Sequence, residues 1–245
     1  MPRYDDLDRL EVLTVITGRL VNETPLRVGV GKEELEERQP LLGSAVDIAP
    51  ITIRFADGRS VPYIPGSSMK GVLRSLAEAM VRAQGKDDVH SPWDFGEKGK
   101  IEEEAESGNY CIICGTFGST KLASHVRVYD AYPETDALTF VKTSVGINRE
   151  FRGAHPDILY TEQQVVPHVR WSFRMDVINI RVFPEPQDER GKLLRSLIGM
   201  LVDGMVQVGA RRTLGYGRLR LEKGSYRVYE VEEGRLVKKA EGDVV

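Results

Sequence analysis

Val61-Pro-Tyr-Ile-Pro-Gly-Ser-Ser-Met-Lys-Gly-Val-Leu-Arg-Ser75 is the stretch whose reading decides the fold. Pro65-Gly66 marks a turn, and Ser67 or Ser68 is a favoured helix N-cap. Behind them Met69, Val72, Leu73, Leu76, Ala77, Met80 and Val81 recur at helical spacing. That spacing predicts an amphipathic helix with one buried face, ending near Gln84-Gly85. Lys70 and Arg74 stand four apart on another face, close to the helix start. Free N–H groups, two hydroxyls and two cations at one helix end are what a phosphate group needs. The same pattern also describes an ordinary capped helix with solvated charges.

Upstream, Val12 to Val21 is rich in β-branched residues and predicts a buried strand. Ile51 to Phe55 and Val61 to Ile64 flank Asp57-Gly58, a hairpin signal. Downstream, residues 86–120 form a polar, glutamate-rich insertion, and Val126 and Val128 alternate with polar neighbours. Residues 139–167 suggest a protruding hairpin or long loop, of a length that is usually functional. The alternation is clearest from Val169 to Val177, with Val169, Trp171, Phe173, Met175 and Val177 on one face. Asp188 to Val206 predicts a second amphipathic helix, and a strand starts at Arg218. From Glu230 the tail is polar and carries little signal. Strand, helix, strand, strand, helix, strand is the split βαβ order, an α+β, modified ferredoxin-like (RRM-like) fold. Both helices cover one face of its antiparallel sheet. The other face stays open, as in folds that carry single-stranded RNA.

The 245 residues, 41% hydrophobic and 29% charged, suit one large domain with insertions. No apolar run reaches transmembrane length and none follows the first Met, so a soluble, cytoplasmic chain without a membrane partner is expected. Net charge is -3, which argues against nucleic acid only until its distribution is read. Acids cluster at Glu33 to Glu37 and Glu97 to Glu106, whereas Arg211 to Arg227 holds five Arg and one Lys against one Glu. Such segregation can set a basic groove in an acidic body. Cys111 and Cys114 are the two cysteines, and their C-x-x-C is half of a tetrahedral zinc site. His90 upstream or His125 downstream could add to it, and a closed four-ligand Zn²⁺ site needs His90 plus one more group. Two buried free thiols fit the spacing equally well.

Four stretches, in order, resemble the RAMP superfamily of CRISPR proteins, and most of all the repeated backbone subunit of type III (Csm/Cmr) effector complexes. Thr24-Pro-Leu-Arg-Val-Gly-Val-Gly31 is similar to that family's first loop. Ile64 to Arg74 is similar to its helix signature, and Phe117-Gly-Ser119 to its F-G-S/N element. Gly209-Ala-Arg-Arg-Thr-Leu-Gly-Tyr-Gly-Arg218 is similar to its glycine-rich loop. The resemblance implies that the helix start and this loop hold a guide crRNA by its backbone. The implied contacts are Arg27, Ser67, Ser68, Lys70, Arg74, Gly209, Arg211, Arg212, Gly215, Gly217 and Arg218. It also implies a thumb-like hairpin within 139–167, with Arg149, Phe151, Arg152 and His155 facing RNA, and a lid-like insertion at 86–120 that holds zinc in some relatives.

Leu42-Gly-Ser-Ala-Val-Asp-Ile-Ala-Pro50 resembles the family's mobile loop, whose Asp supports cleavage of target RNA. Asp47 matches that Asp, with the Pro one residue late. A carboxylate there could place Mg²⁺ or Mn²⁺ or help activate a 2′-OH. The resemblance thus implies copies stacked head to tail on the guide, beside other effector subunits, cutting a complementary target RNA. The alternatives are a non-catalytic scaffold of the same fold and a stand-alone guide-processing endoribonuclease. The family's loop His is Arg27 here, which counts against the latter.

Overall fold

The β-branched run near the amino end becomes β1 (Val12–Asn22), the centre of the sheet. The computed structural model describes residues 7–29, 48–85, 89–91, 93, 99–150 and 152–244, without the side chains of 155–158. After β1, a short hairpin of β2 (Thr52–Arg54) and β3 (Ser60–Pro62) turns at Gly58 and leads into α1 (Gly66–Ala83). The glutamate-rich insertion contributes α2 (Lys100–Ser107) and a single turn, α3 (Cys114–Phe117). Then come β4 (Val126–Val128) and a separate antiparallel hairpin of β5 (Thr139–Ile147) and β6 (Ala154–Val165). The chain continues through β7 (Arg170–Ile178), α4 (Glu189–Val202), β8 (Val206–Gln207), β9 (Arg218–Glu232) and β10 (Arg235–Asp243).

β1 pairs antiparallel with β7 on one side and β9 on the other, and the sheet runs β10-β9-β1-β7-β4. With β10 set aside, that is fourth, first, third, second, an order compatible with a ferredoxin-like arrangement. The register puts Ile16, Gly18 and Leu20 beside Met175, Phe173 and Trp171 on one face. The core lies between that face and the buried sides of α1 (Met69, Leu73, Ala77, Val81) and α4 (Leu194, Leu197, Ile198, Leu201). Each large aliphatic side chain buried there contributes about 1.5–3 kcal/mol. Arg19, Arg127, Arg170, Arg174 and Arg220 occupy the opposite face by the same alternation.

Two expectations need correction, and one stretch without a sequence reading gains a structure. Ser67 and Ser68 do not cap α1: its N-cap is Pro65, and the Gly66 N–H is answered by Asp130 Oδ1 at 2.8 Å. A carboxylate brought from just past β4 does what a local hydroxyl was expected to do. The second helix stops at Val202, because Gly204 takes a positive φ and the chain turns into β8. Met205, which lies within the expected helix, is consequently outside it and 62% exposed. Finally, the polar tail is a strand, β10, hairpinned onto β9 through Glu233 and Gly234, both at positive φ.

Candidate nucleic-acid interface

Four segments that are distant in sequence meet at the base of the β5–β6 hairpin. Leu26 exchanges backbone hydrogen bonds with Val165 in β6 (3.1 and 2.9 Å). Ile48 is bonded to the next residues of β6 through Gln163 N–H (2.8 Å) and the Thr161 carbonyl (3.3 Å). Ile51 N–H reaches Val28 O (2.7 Å), and Ala210 N–H reaches Arg27 O (2.9 Å). Gly217 N–H closes the ring on Pro25 O at 2.9 Å. The first loop, the end of the Asp47 loop, the hairpin and the glycine-rich loop are thus one hydrogen-bonded junction. Asp47 itself lies outside the described residues, as do Phe151 and the side chain of His155.

The glycines serve this closure. A Cβ on Gly209 (φ +87°) would lie 2.3 Å from Arg27 O, and one on Gly217 (φ +75°) 1.9 Å from Val208 O. Gly215, also at positive φ, has nothing near its missing Cβ and leaves the loop open on that side.

Glu162 of β6 fills the centre of the junction and is only 1% exposed. Its Oε1 accepts from Arg211 Nη2 (2.7 Å) and Nε (2.9 Å), and Arg27 Nη2 stands 3.7 Å away. Gln164 Nε2 donates to Oε2 at 3.1 Å. Burial works against a charged Glu162, but the Arg211 hydrogen bonds and the Arg27 charge outweigh it and hold its pKa below the ordinary value. Arg27 is 7% exposed, and burial lowers its pKa despite Glu162. The expectation that Arg27 meets phosphate directly is therefore corrected: it points inward and supports the loop. Arg211 is half-buried over the Tyr160 ring, 4.8 Å from its centroid.

The exposed cations stand around this core. Arg212 is exposed in the single turn Arg212–Leu214, and Lys142 of β5 touches the Tyr216 hydroxyl. Arg149 and Arg152 are exposed at the hairpin tip. Arg218 is committed to Glu23 (2.9 Å) and the Gly204 carbonyl (2.6 Å).

The helix start is placed elsewhere. Arg74 donates to Glu78 (3.0 Å) and the Gly118 carbonyl (2.7 Å) and lies 3.8 Å from Cys114 Sγ. Val72, Ser75 and Leu76, with Met205, Gln207, Arg212 and Thr213, line a groove of about 350 Å³. Lys70 and Arg74 therefore leave α1 on the flank facing the insertion, and Val72 and Leu76 on the flank facing the glycine-rich loop. The structure brings Arg27 and Arg211 together, seats Arg212 beside α1, and puts the width of that helix between them and Lys70. Lys70 is half-buried, and burial followed by the Arg74 charge lowers its pKa. Ser67 is exposed at the same helix end, Ser68 half-buried.

The insertion holds a second polar centre, built from Cys111, Cys114, His90 and Glu104, whose ligand atoms lie within 4.8 Å of one another. His90 Nε2 is 2.9 Å from Glu104 Oε1 and 3.6 Å from Cys114 Sγ. The Cys111 N–H donates to Glu104 Oε1 at 2.7 Å. Glu104 Oε2 is buried with no hydrogen-bond partner. Burial opposes a charged His90, but the Ser91 carbonyl and the Glu104 carboxylate together raise its pKa. The hydrogen bond from Cys114 pulls the Cys111 thiol down to about 7, and the Cys114 thiol is pushed up in return. Two thiols, an imidazole and a carboxylate are a fitting donor set for zinc. His125 takes no part; its Nδ1 lies 2.8 Å from Ile178 O, in the core.

Sequence reasoning missed Glu162 and Glu104. Glu162 was legible in principle, since Tyr160, Glu162 and Gln164 share one face of β6. Glu104 sat within a run of acids that looked like a solvated face.

Comparison with known proteins identifies a family. The description of the RAMP superfamily matches residues 19–220, a span that includes all four converging segments, and the chain belongs to that superfamily. It is also 31% identical over 101 residues to the CRISPR system Cmr subunit Cmr6 of Pyrococcus furiosus. That match covers 41% of this chain and 25% of the relative, so the chain aligns with only about a quarter of that protein's length. Among the described residues no helix is long and apolar enough to cross a membrane.

Proposed function

We propose that this chain is a guide-RNA-binding subunit of a type III CRISPR effector complex that holds the sugar-phosphate backbone without reading bases. One observation carries the reading: the first loop, the end of the Asp47 loop, the hairpin and the glycine-rich loop close into a single junction, and the exposed Arg212 and Lys142 stand around it. Membership of the RAMP superfamily and the similarity to a Cmr subunit support it. Backbone contacts of this kind release counterions, so affinity falls with salt. Arg149 and Arg152 at the hairpin tip extend the same charge toward an RNA strand, and neighbouring copies or other effector subunits would share that strand.

The test is purification from cells that express a CRISPR array, followed by sequencing of the bound RNA. Repeat-derived guides are the expected result. Arg212→Ala with Lys142→Ala should weaken binding across all sequences and reduce the salt slope by about 0.7 for every phosphate no longer neutralised. Protein that binds no RNA, or binds it with no salt dependence, would overturn the proposal.

Cleavage of a paired target RNA with Mg²⁺ through Asp47 is the finer proposal. The following residue, Ile48, is bonded into the hairpin base beside Glu162, which favours it over a remote loop. Asp47→Ala should leave guide binding intact and abolish target cutting. A stand-alone guide-processing nuclease is less well supported. Of the histidines with described side chains, His90 belongs to the cysteine centre, His125 to the core and His168 to the turn before β7.

A further inference from the structure

We infer that Glu104 is the fourth ligand of a structural zinc ion held with Cys111, Cys114 and His90, and that Arg74 is the cation that balances this centre. The inference concerns the insertion and does not depend on RNA binding.

Glu104 Oε2 is buried and unbonded, although the other oxygen of the same carboxylate is shared by His90 and the Cys111 N–H. A buried carboxylate oxygen left bare is costly, and native interiors rarely keep one without a ligand or water. Around it stand two sulfurs and an imidazole, all within 4.8 Å. A tetrahedral site with bonds of about 2.0–2.3 Å has ligand–ligand edges of about 3.3–3.8 Å. The 3.6 Å separation of His90 Nε2 and Cys114 Sγ already meets that, the 2.9 Å pair of His90 Nε2 and Glu104 Oε1 is slightly short, and since no ligand pair exceeds 4.8 Å, shifts of about 1–1.5 Å at most would assemble the set.

The outer shell is prepared as well. His90 Nδ1 lies 3.0 Å from the carbonyl of Ser91, which can only accept and so keeps a proton on Nδ1, leaving Nε2 as the nitrogen that would take the metal in place of its contact with Glu104 Oε1. The Cys111 sulfur accepts the Cys114 N–H at 3.4 Å, a bond that favours thiolate at the head of the α3 turn. Zn²⁺ with two thiolates, one carboxylate and a neutral imidazole has a net charge of −1. Arg74 lies 3.8 Å from Cys114 Sγ and is held by Glu78 and Gly118; Glu78 is shared with Arg82 (3.8 Å), so the two arginines leave one positive charge to offset this buried centre. The metal would thus tie the insertion to α1 through the Arg74 side chain.

The experiment uses the full chain, purified without chelator, with metal analysis, titration by Co²⁺ followed in the visible spectrum, and thermal unfolding with and without chelator. Expected are one zinc per chain, a tetrahedral thiolate-type Co²⁺ spectrum, and a lower Tm after chelation. Glu104→Gln keeps the shape and should lower Co²⁺ affinity by more than about tenfold and change the spectrum, whereas Glu103→Gln should do neither. Arg74→Met should weaken metal binding with the four-ligand spectrum retained. Wild-type protein with no bound metal, or with a Cys111–Cys114 disulfide in its place, would overturn the inference. A Glu104→Gln protein with unchanged affinity and spectrum would remove Glu104 from the ligand set.

Discussion

Glu162 and Glu104 are both buried carboxylates that come from polar stretches of sequence, and they differ in how fully their surroundings answer them. Glu162 has both oxygens engaged, by Arg211 and Gln164, with Arg27 close by. Glu104 has one oxygen shared twice and the other bare. The first carboxylate has both oxygens answered within the chain and works as a fastener for four loops. The second is incomplete within the chain and implies something from outside. Burial and charge alone do not separate the two roles; the count of satisfied oxygens does.

The largest expected effect is on the complete centre. Glu162→Ala leaves two guanidinium groups beside an empty space, and loss of one partner from a buried ion pair costs about 3–5 kcal/mol. Chemical denaturation measures it, and a cost below about 1 kcal/mol would place Glu162 among surface ion pairs instead. Next in size is Gly209→Ala, since that residue combines positive φ with a Cβ only 2.3 Å from Arg27 O. About 1–3 kcal/mol is expected from backbone strain, with further loss from the clash, whereas Gly215→Ala meets no neighbour and should cost only the strain.

Acid sharpens the contrast further. The pKa of Glu162 is depressed in the folded chain, so its stabilisation is present above its unfolded value, near 4.5, and is lost as pH falls through the lower folded value. Stability below pH 4.5 should therefore fall more steeply in the wild type than in Glu162→Gln, in denaturation series run from pH 6 downward. The smallest effect, about 1 kcal/mol, is expected for Asp130→Ala, which removes the cap from α1. Ser67→Ala and Ser68→Ala should leave stability nearly unchanged by comparison.

How far the sequence carried the fold follows from the range of the interactions involved. α1 and β7 were readable because their signals are periodic within a dozen residues, and β1 because of its run of β-branched residues, which the structure buries at Thr14 to Ile16 and again at Leu20 to Asn22. β10 was not, since an edge strand exposed on much of its length needs little apolar content, and Glu233-Gly234 is a weaker turn signal than Asn-Gly. In the candidate site, the loops that meet were readable as motifs, whereas what holds them together was not. Arg27 and Arg211 were read as phosphate ligands because nothing local shows that Glu162, in a different hairpin, occupies the space between them. Cys111, Cys114 and His90 were found by residue type, but Glu104 differs from Glu102 and Glu103 only in which side of α2 faces the cysteines.

The bond from Gly66 to Asp130 spans 64 residues, and Ile64 and Ala131 exchange hydrogen bonds beside it. During synthesis on the ribosome, α1 emerges long before the carboxylate that completes its first turn has been added. The nascent helix thus spends that interval open at its leading end, and its final docking belongs to the stage at which β4 joins β7. A chain truncated before Asp130 would carry α1 in full and still lack the group that anchors it.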